Sequence, residues 1–234
     1  MLILAFETSA KAASTALLED GKLLGEIYQN TGLTHSQTLM VMAEDLLGQC
    51  GKTVADVSAV AVAEGPGSFT GVRIGVAAAK GFAWGGELPC CGVSTLESMA
   101  EMAGIWQGYL CPCMDARRSQ VYNALFYVNR GEIQRLTPDR AIALSDLKKE
   151  LENFAEPIFL VGDGSNLCYN TLLESVPGLV LPAEHRMHQR AAGVALTAAR
   201  LAAAGADGDA NALSPNYLRL SQAERERAER MKAN

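Results

Sequence analysis

Residues 56–82, DVSAVAVAEGPGSFTGVRIGVAAAKGF, constrain the fold more than any other stretch of the chain. Val57, Ala59, Val60, Ala61 and Val62 make a nearly unbroken apolar run, the composition of a strand buried on both faces. Glu64-Gly65-Pro66-Gly67-Ser68 breaks that run with turn formers, and from Thr70 the pattern becomes long, small-residue-rich and helical. A strand that passes through a glycine turn into a helix aims unpaired amides at whatever lies beyond the turn. Gly65, Gly67 and Gly71 are spaced G-x-G-x-x-x-G, one residue longer than the dinucleotide fingerprint, and no Gly-Lys-Thr/Ser follows to make a P-loop. Nor does Ser68 sit in a G-x-S-x-G elbow. Two readings stay open: a tight strand-to-helix connection that needs glycine's backbone freedom, and an anion site.

The flanking sequence places this unit in a mixed α/β fold. Strands are expected at 2–6, 13–18 and 23–28, with Glu7-Thr8-Ser9-Ala10 as a polar tip and Asp20-Gly21 as a hairpin turn. A helix capped within Thr34-His35-Ser36 runs to about Gln49, with Leu39, Ala43, Leu46, Leu47 and Cys50 as its core stripe and Met40 and Met42 outside it. The helix from about Thr70 to Trp84 is apolar nearly all round, so more than one of its sides must be covered. A strand at 90–93, a helix capped by Ser94 or Thr95 and a strand at 109–114 follow. The charged turn Asp115-Ala116-Arg117-Arg118 then precedes strands at 121–128 and 133–136, joined by Asn129-Arg130-Gly131. That order repeats the opening of the chain and predicts two related lobes, residues 1–105 and 106–234. Ser145 is expected to cap a helix to Leu151. A strand at 157–161 leads through Gly162-Asp163-Gly164-Ser165 into a helix at 166–175. A short strand at 179–181, an alanine-rich helix at 189–204 and a charged tail, Glu224 to Lys232, complete the reading. The tail reads as a frayed or partner-ordered helix.

The net charge of −6 argues against a general nucleic-acid binder, since phosphate neutralisation needs clustered Lys and Arg. MLILAFETSA lacks the basic start of a signal peptide, and no run reaches the ~20 apolar residues of a membrane span, so a cytoplasmic protein is expected. The six cysteines include the adjacent Cys90 and Cys91 and a Cys111-x-Cys113 pair, spacings that suit neither a disulfide framework nor a zinc knuckle.

Phe6-Glu7-Thr8-Ser9, Thr34-His35-Ser36, the block from Gly65 to Gly75, Asp115-Ala116-Arg117 and Pro215-Asn216-Tyr217-Leu218-Arg219 together resemble the TsaB (YeaZ) family of bacterial tRNA threonylcarbamoyladenosine biosynthesis proteins. The resemblance implies an ASKHA (actin-like ATPase, ribonuclease H-like) fold of two related lobes, with mixed sheets flanked by helices. It also implies a non-catalytic subunit that pairs with TsaD, with TsaE in a larger complex. Such a subunit supports threonylcarbamoyl transfer to adenosine 37 of tRNAs reading codons that begin with A. The tRNA is then met through the complex, and the chain alone is expected to form a homodimer.

The related TsaD binds metal through an H-x-x-x-H pair, whereas this chain has only His35, His185 and His188, so no metal is expected. No cofactor is expected on the chain alone, with ATP or ADP entering in the complex with TsaD. Expected interface residues are Leu39, Met40, Met42, Val72, Ile74, Val76 and Phe82. Glu7, Thr8, Ser9, Gly65, Gly67, Ser68 and Arg73 are the candidates for an anion or nucleotide contact, and no residue is assigned a catalytic role. The alternatives are a glycoprotease-like peptidase, which would draw on Ser68 or His35, and a nucleotide-binding regulatory protein.

Overall fold

The computed structural model describes residues 1–103, 107–206 and 208–219. The chain opens with strands β1 (Leu2–Glu7), β2 (Ala13–Glu19) and β3 (Lys22–Gln29) as an antiparallel meander. Asp20 and Gly21 both take positive φ at the β2–β3 turn, the backbone twist that a two-residue hairpin requires. Helix α1 (His35–Gln49), β4 (Ala59–Gly65), α2 (Phe69–Gly86), β5 (Cys90–Ser94) and α3 (Thr95–Met102) follow. β4 pairs parallel with β1, and β5 with β4, giving a sheet of order β3-β2-β1-β4-β5.

The second sheet repeats this plan. Its elements are β6 (Gly108–Asp115), β7 (Gln120–Asn123), β8 (Phe126–Asn129), β9 (Glu132–Arg135), β10 (Arg140–Ala143), α4 (Leu144–Leu151), β11 (Ile158–Val161), α5 (Ser165–Leu172) and β12 (Leu179–Val180). The order is β10-β7-β6-β11-β12, with β7 and β10 antiparallel to their neighbours and β11 and β12 parallel to β6. The β8–β9 hairpin attaches to the start of β6. The third strand of this repeat is therefore β10, not the 133–136 strand expected from the sequence.

The strand expected over Val121–Val128 is interrupted. β7 and β8 keep one register along β6, and the break faces Pro112, which has no N–H to give a ladder. Leu125 turns its N–H to the Thr137 hydroxyl and its carbonyl to the Leu136 amide instead. Ser145 is also not the cap expected of it. α4 starts at Leu144 behind Ala143, because β10 runs directly into the helix.

The first sheet is buried on both faces, which explains the apolar run in β4. Val60 and Val62 face α1 and α2, packing with Phe6, Leu17, Leu39, Leu46, Val72 and Val76. Ala61 and Ala63 face the other way, with Ile3, Ala5 and Ala16, against α6 (Ala191–Ala203) through Ala191, Val194, Ala195 and Ala198. Small residues on both partners let that helix lie close to the sheet. The expected division after residue 105 falls among residues outside the description, as does the charged tail from Glu224 to Lys232. β1 to β5 precede that point and β6 to β12 follow it, while α6 returns to the first sheet.

Candidate functional site

The two sheets point their equivalent hairpin tips at one cleft of about 540 Å³. Ser9, Ala10 and Lys11 from the β1–β2 tip and Pro66 to Thr70 from the glycine turn line one side. Met114 to Arg117, Tyr122 and Asp163 line the other, and Asn216 to Arg219 complete the wall.

Residues far apart in sequence but singled out together do meet here. The Ser68 amide donates to the Ser9 carbonyl at 2.6 Å, and the Thr8 hydroxyl donates to the Gly71 carbonyl at 2.8 Å. The glycines are required by this contact. A Cβ on Gly67 would lie 2.4 Å from the Ser9 carbonyl oxygen, one on Gly71 2.1 Å from that of Thr8, and one on Gly75 2.3 Å from the Thr8 hydroxyl. Gly65, at φ +117°, faces the Asn216 carbonyl in the same way. The tight connection is thus present in full, and the Ser68 amide is occupied by the chain's own backbone.

Glu7 lies behind this contact, fully buried. Its Oε1 accepts the Ser9 N–H at 2.5 Å, while its Oε2 and the Ser9 hydroxyl are buried without a protein partner. Burial raises the Glu7 carboxyl to about 7; the hydrogen bond from the Ser9 amide pulls the other way, and the charge of Asp163 adds to the rise. Asp163 is itself raised, chiefly by burial, against the opposing pull of a Gln189 Nε2 contact at 3.4 Å. Arg73 points elsewhere: its guanidinium lies 3.8 Å over the Phe69 ring, and its Nε donates to the Tyr217 hydroxyl at 2.6 Å.

The expected interface set divides. Leu39, Met42, Val72 and Val76 are buried within the monomer and cannot present a surface. Met42 follows Leu39 by three residues and so shares its stripe, and Val72 and Val76 face the sheet. Phe82 is half-buried, its ring 6.5 Å from that of Phe6, and Ile74 is half-buried. Met40 is 44% exposed, beside Val41 at 55%, and α2 exposes Ala77, Gly81 and Trp84, the last at 64%.

His35 Nε2 lies 2.9 Å from the Ala10 carbonyl, and the Ser68 hydroxyl accepts the Gly71 amide, so the two form no nucleophile–base pair. Among the described residues no three His, Cys, Asp or Glu side chains are grouped to hold a metal ion. None of the described helices is long and apolar enough to cross a membrane.

The place of Asn216 to Arg219 in the cleft wall has no signal in the sequence beyond the family resemblance. A short segment with no periodicity carries no signal of where it docks.

Comparison with known proteins matches residues 27–227 to the family described as TsaD, tRNA N6-adenosine threonylcarbamoyltransferase. The tRNA threonylcarbamoyladenosine biosynthesis protein TsaB of Bacillus subtilis is 34% identical over 228 residues, covering 96% of each chain. A solved Pseudomonas aeruginosa protein described as similar to the peptidase YeaZ superposes with a TM-score of 0.78 at 29% identity, over 93% of this chain and 99% of that one. Component A of (R)-2-hydroxyglutaryl-CoA dehydratase from Acidaminococcus fermentans shares the fold alone, at a TM-score of 0.54 and 12% identity over 87% of this chain and 99% of that one. The two-lobed ASKHA layout expected from the sequence is the layout observed.

Proposed function

This chain belongs to the TsaB family and has a role in tRNA threonylcarbamoyladenosine biosynthesis, and on that premise we propose that it acts as a non-catalytic subunit paired with TsaD. In this reading it supports threonylcarbamoyl transfer to adenosine 37 of tRNAs reading codons that begin with A. It has no independent activity, and TsaE and tRNA join through the complex. The observation that supports pairing is the apolar surface on the adjacent helices α1 and α2, where Met40, Val41 and Trp84 stand in solvent. Without TsaD the same surface is proposed to pair two copies about a two-fold axis. ATP or ADP is assigned to the assembled complex, since the Ser68 amide of the glycine turn is already bonded to Ser9.

The test is TsaD pull-down and reconstitution of the modification with a Met40→Glu, Ala77→Glu chain, both positions being exposed. Loss of association and of modification, with the melting temperature kept, is expected. Undiminished association sinks the assigned surface. Val76→Glu would be a poor test, because that side chain is core and its loss of binding would report unfolding.

A further inference from the structure

The segment Pro215–Arg219 crosses the mouth of the cleft from one lobe to the other. On the first lobe the Asn216 amide donates to the Glu64 carbonyl at 2.7 Å, and the Asn216 carbonyl packs against Gly65, where no Cβ would fit. Tyr217 stacks on Phe69 with ring centroids 4.6 Å apart, and its hydroxyl takes the Arg73 Nε hydrogen bond at 2.6 Å. On the second lobe the Arg219 guanidinium donates to the Ala116 carbonyl and, at 3.4 Å, to that of Arg117.

The loop it grips is a strained one. Arg117, Arg118 and Ser119 have φ of 64°, 56° and 54°, three consecutive non-glycine residues in the left-handed region. Each such residue costs roughly 1–2 kcal/mol, so the run persists only where surrounding contacts hold it. Contacts on this run include the Asp115 carboxylate, which accepts the Arg117 amide at 2.7 Å and its guanidinium at 3.0 Å, the backbone bonds from Ala116 to the Gln120 carbonyl at 3.0 Å, from Gln120 to the Arg117 carbonyl at 3.2 Å and from Leu144 to the Ser119 carbonyl at 3.1 Å, and Arg219. Of these, the bond from Arg219 comes from the far side of the cleft.

We propose that Pro215–Arg219 is an interlobe latch. Seated on the first lobe by Asn216 and Tyr217, it holds the 116–119 tip of the second lobe through Arg219 and so sets how far the cleft opens. Releasing Arg219 frees the tip while leaving the segment seated on the first lobe. Releasing Tyr217 frees both ends.

Hydrogen–deuterium exchange of the full-length chain tests this with Arg219→Ala, Tyr217→Ala and Tyr217→Phe. Arg219→Ala is expected to speed exchange in peptides covering 115–120 by about fivefold or more, the effect of losing a hydrogen-bonded tie worth about one bond. Peptides from β1, β4 and α6 should be unchanged. Tyr217→Ala should speed exchange at 66–72 as well, and Tyr217→Phe, which keeps the stack, should do so less. If Arg219→Ala leaves 115–120 at the wild-type rate, the latch does not exist. If every peptide accelerates together, the segment is part of the general fold, and the proposal is equally overturned.

Discussion

The α2 backbone at Gly71 lies so close beneath Thr8 that a Cβ there would fall 2.1 Å from the Thr8 carbonyl oxygen. Backbone on both sides cannot yield as a flexible side chain could, so this contact sets the sign of a substitution that would otherwise help. Alanine favours a helix over glycine by about 1 kcal/mol. Gly71→Ala is nonetheless expected to destabilise by about 3 kcal/mol, from overpacking. Gly81, in the same helix with open space around it, is the control. Gly81→Ala should stabilise by about 0.5–1 kcal/mol. Urea midpoints for the two variants check both signs.

Glu7 makes stability depend on pH in an uncommon direction. Its folded carboxyl is raised from the ordinary 4.5 to about 7, so the folded chain holds a proton that the unfolded chain has released. Its contribution is complete below about pH 4.5, falls as pH rises through 7, and is absent above. The full swing is on the order of 3 kcal/mol. Glu7→Gln keeps the acceptor for the Ser9 amide and removes the charge. It should raise stability at pH 8 and flatten the profile between 4.5 and 7, measured by denaturant titration at each pH. A variant with wild-type slope would show that Glu7 is not the titrating group.

Arg190 and Glu26 tie the start of α6 to the edge strand β3. Two guanidinium nitrogens reach one Glu26 oxygen at 2.9 and 2.6 Å, and the other oxygen accepts the Ala192 amide at 3.1 Å. The carboxylate is 6% exposed, so removing its partner leaves a buried charge. Arg190→Ala should cost about 3 kcal/mol. Replacing both residues together, with Glu26→Gln, should cost less than that single change, which a double-mutant cycle by thermal melting will read.

Trp84 exposes the largest apolar side chain on α2. On the proposed pairing of two copies, Trp84→Lys should weaken self-association at least about tenfold in sedimentation, the loss of an aromatic anchor, with the melting temperature nearly unchanged. A dimer of unaltered affinity would move the interface elsewhere.

Much of this was legible in the chain because local rules were obeyed. Asp20-Gly21 fixed a hairpin, and the alternation of Val60 and Val62 with Ala61 and Ala63 marked a strand covered on both faces. The glycines from Gly65 to Gly75 announced a close approach without revealing that the neighbours were Asn216 for Gly65 and Thr8 and Ser9 for the rest. Periodicity failed where a helix is apolar nearly all round, since nothing in α2 distinguishes a sheet-facing Val76 from a half-exposed Ile74. It also failed at β10, four residues long, whose pairing with β7 is decided by tertiary contact across the β8–β9 insertion. The cleft-spanning Tyr217 and Arg219 depend on partners 144 and 103 positions away, a distance that no window of sequence samples.

The roofing of the first sheet by α6 has a consequence for synthesis. The Ala191 amide that binds the Ser14 hydroxyl leaves the ribosome 177 positions after it. At about 5–20 residues per second, strands formed before α6 emerges would wait roughly ten seconds or more with Ile3, Ala5, Ala16 and Ala61 uncovered on that face. A nascent chain of this kind must be shielded or slow to stick, and the smallness of those side chains, mostly alanine, gives a stray hydrophobic segment little to hold.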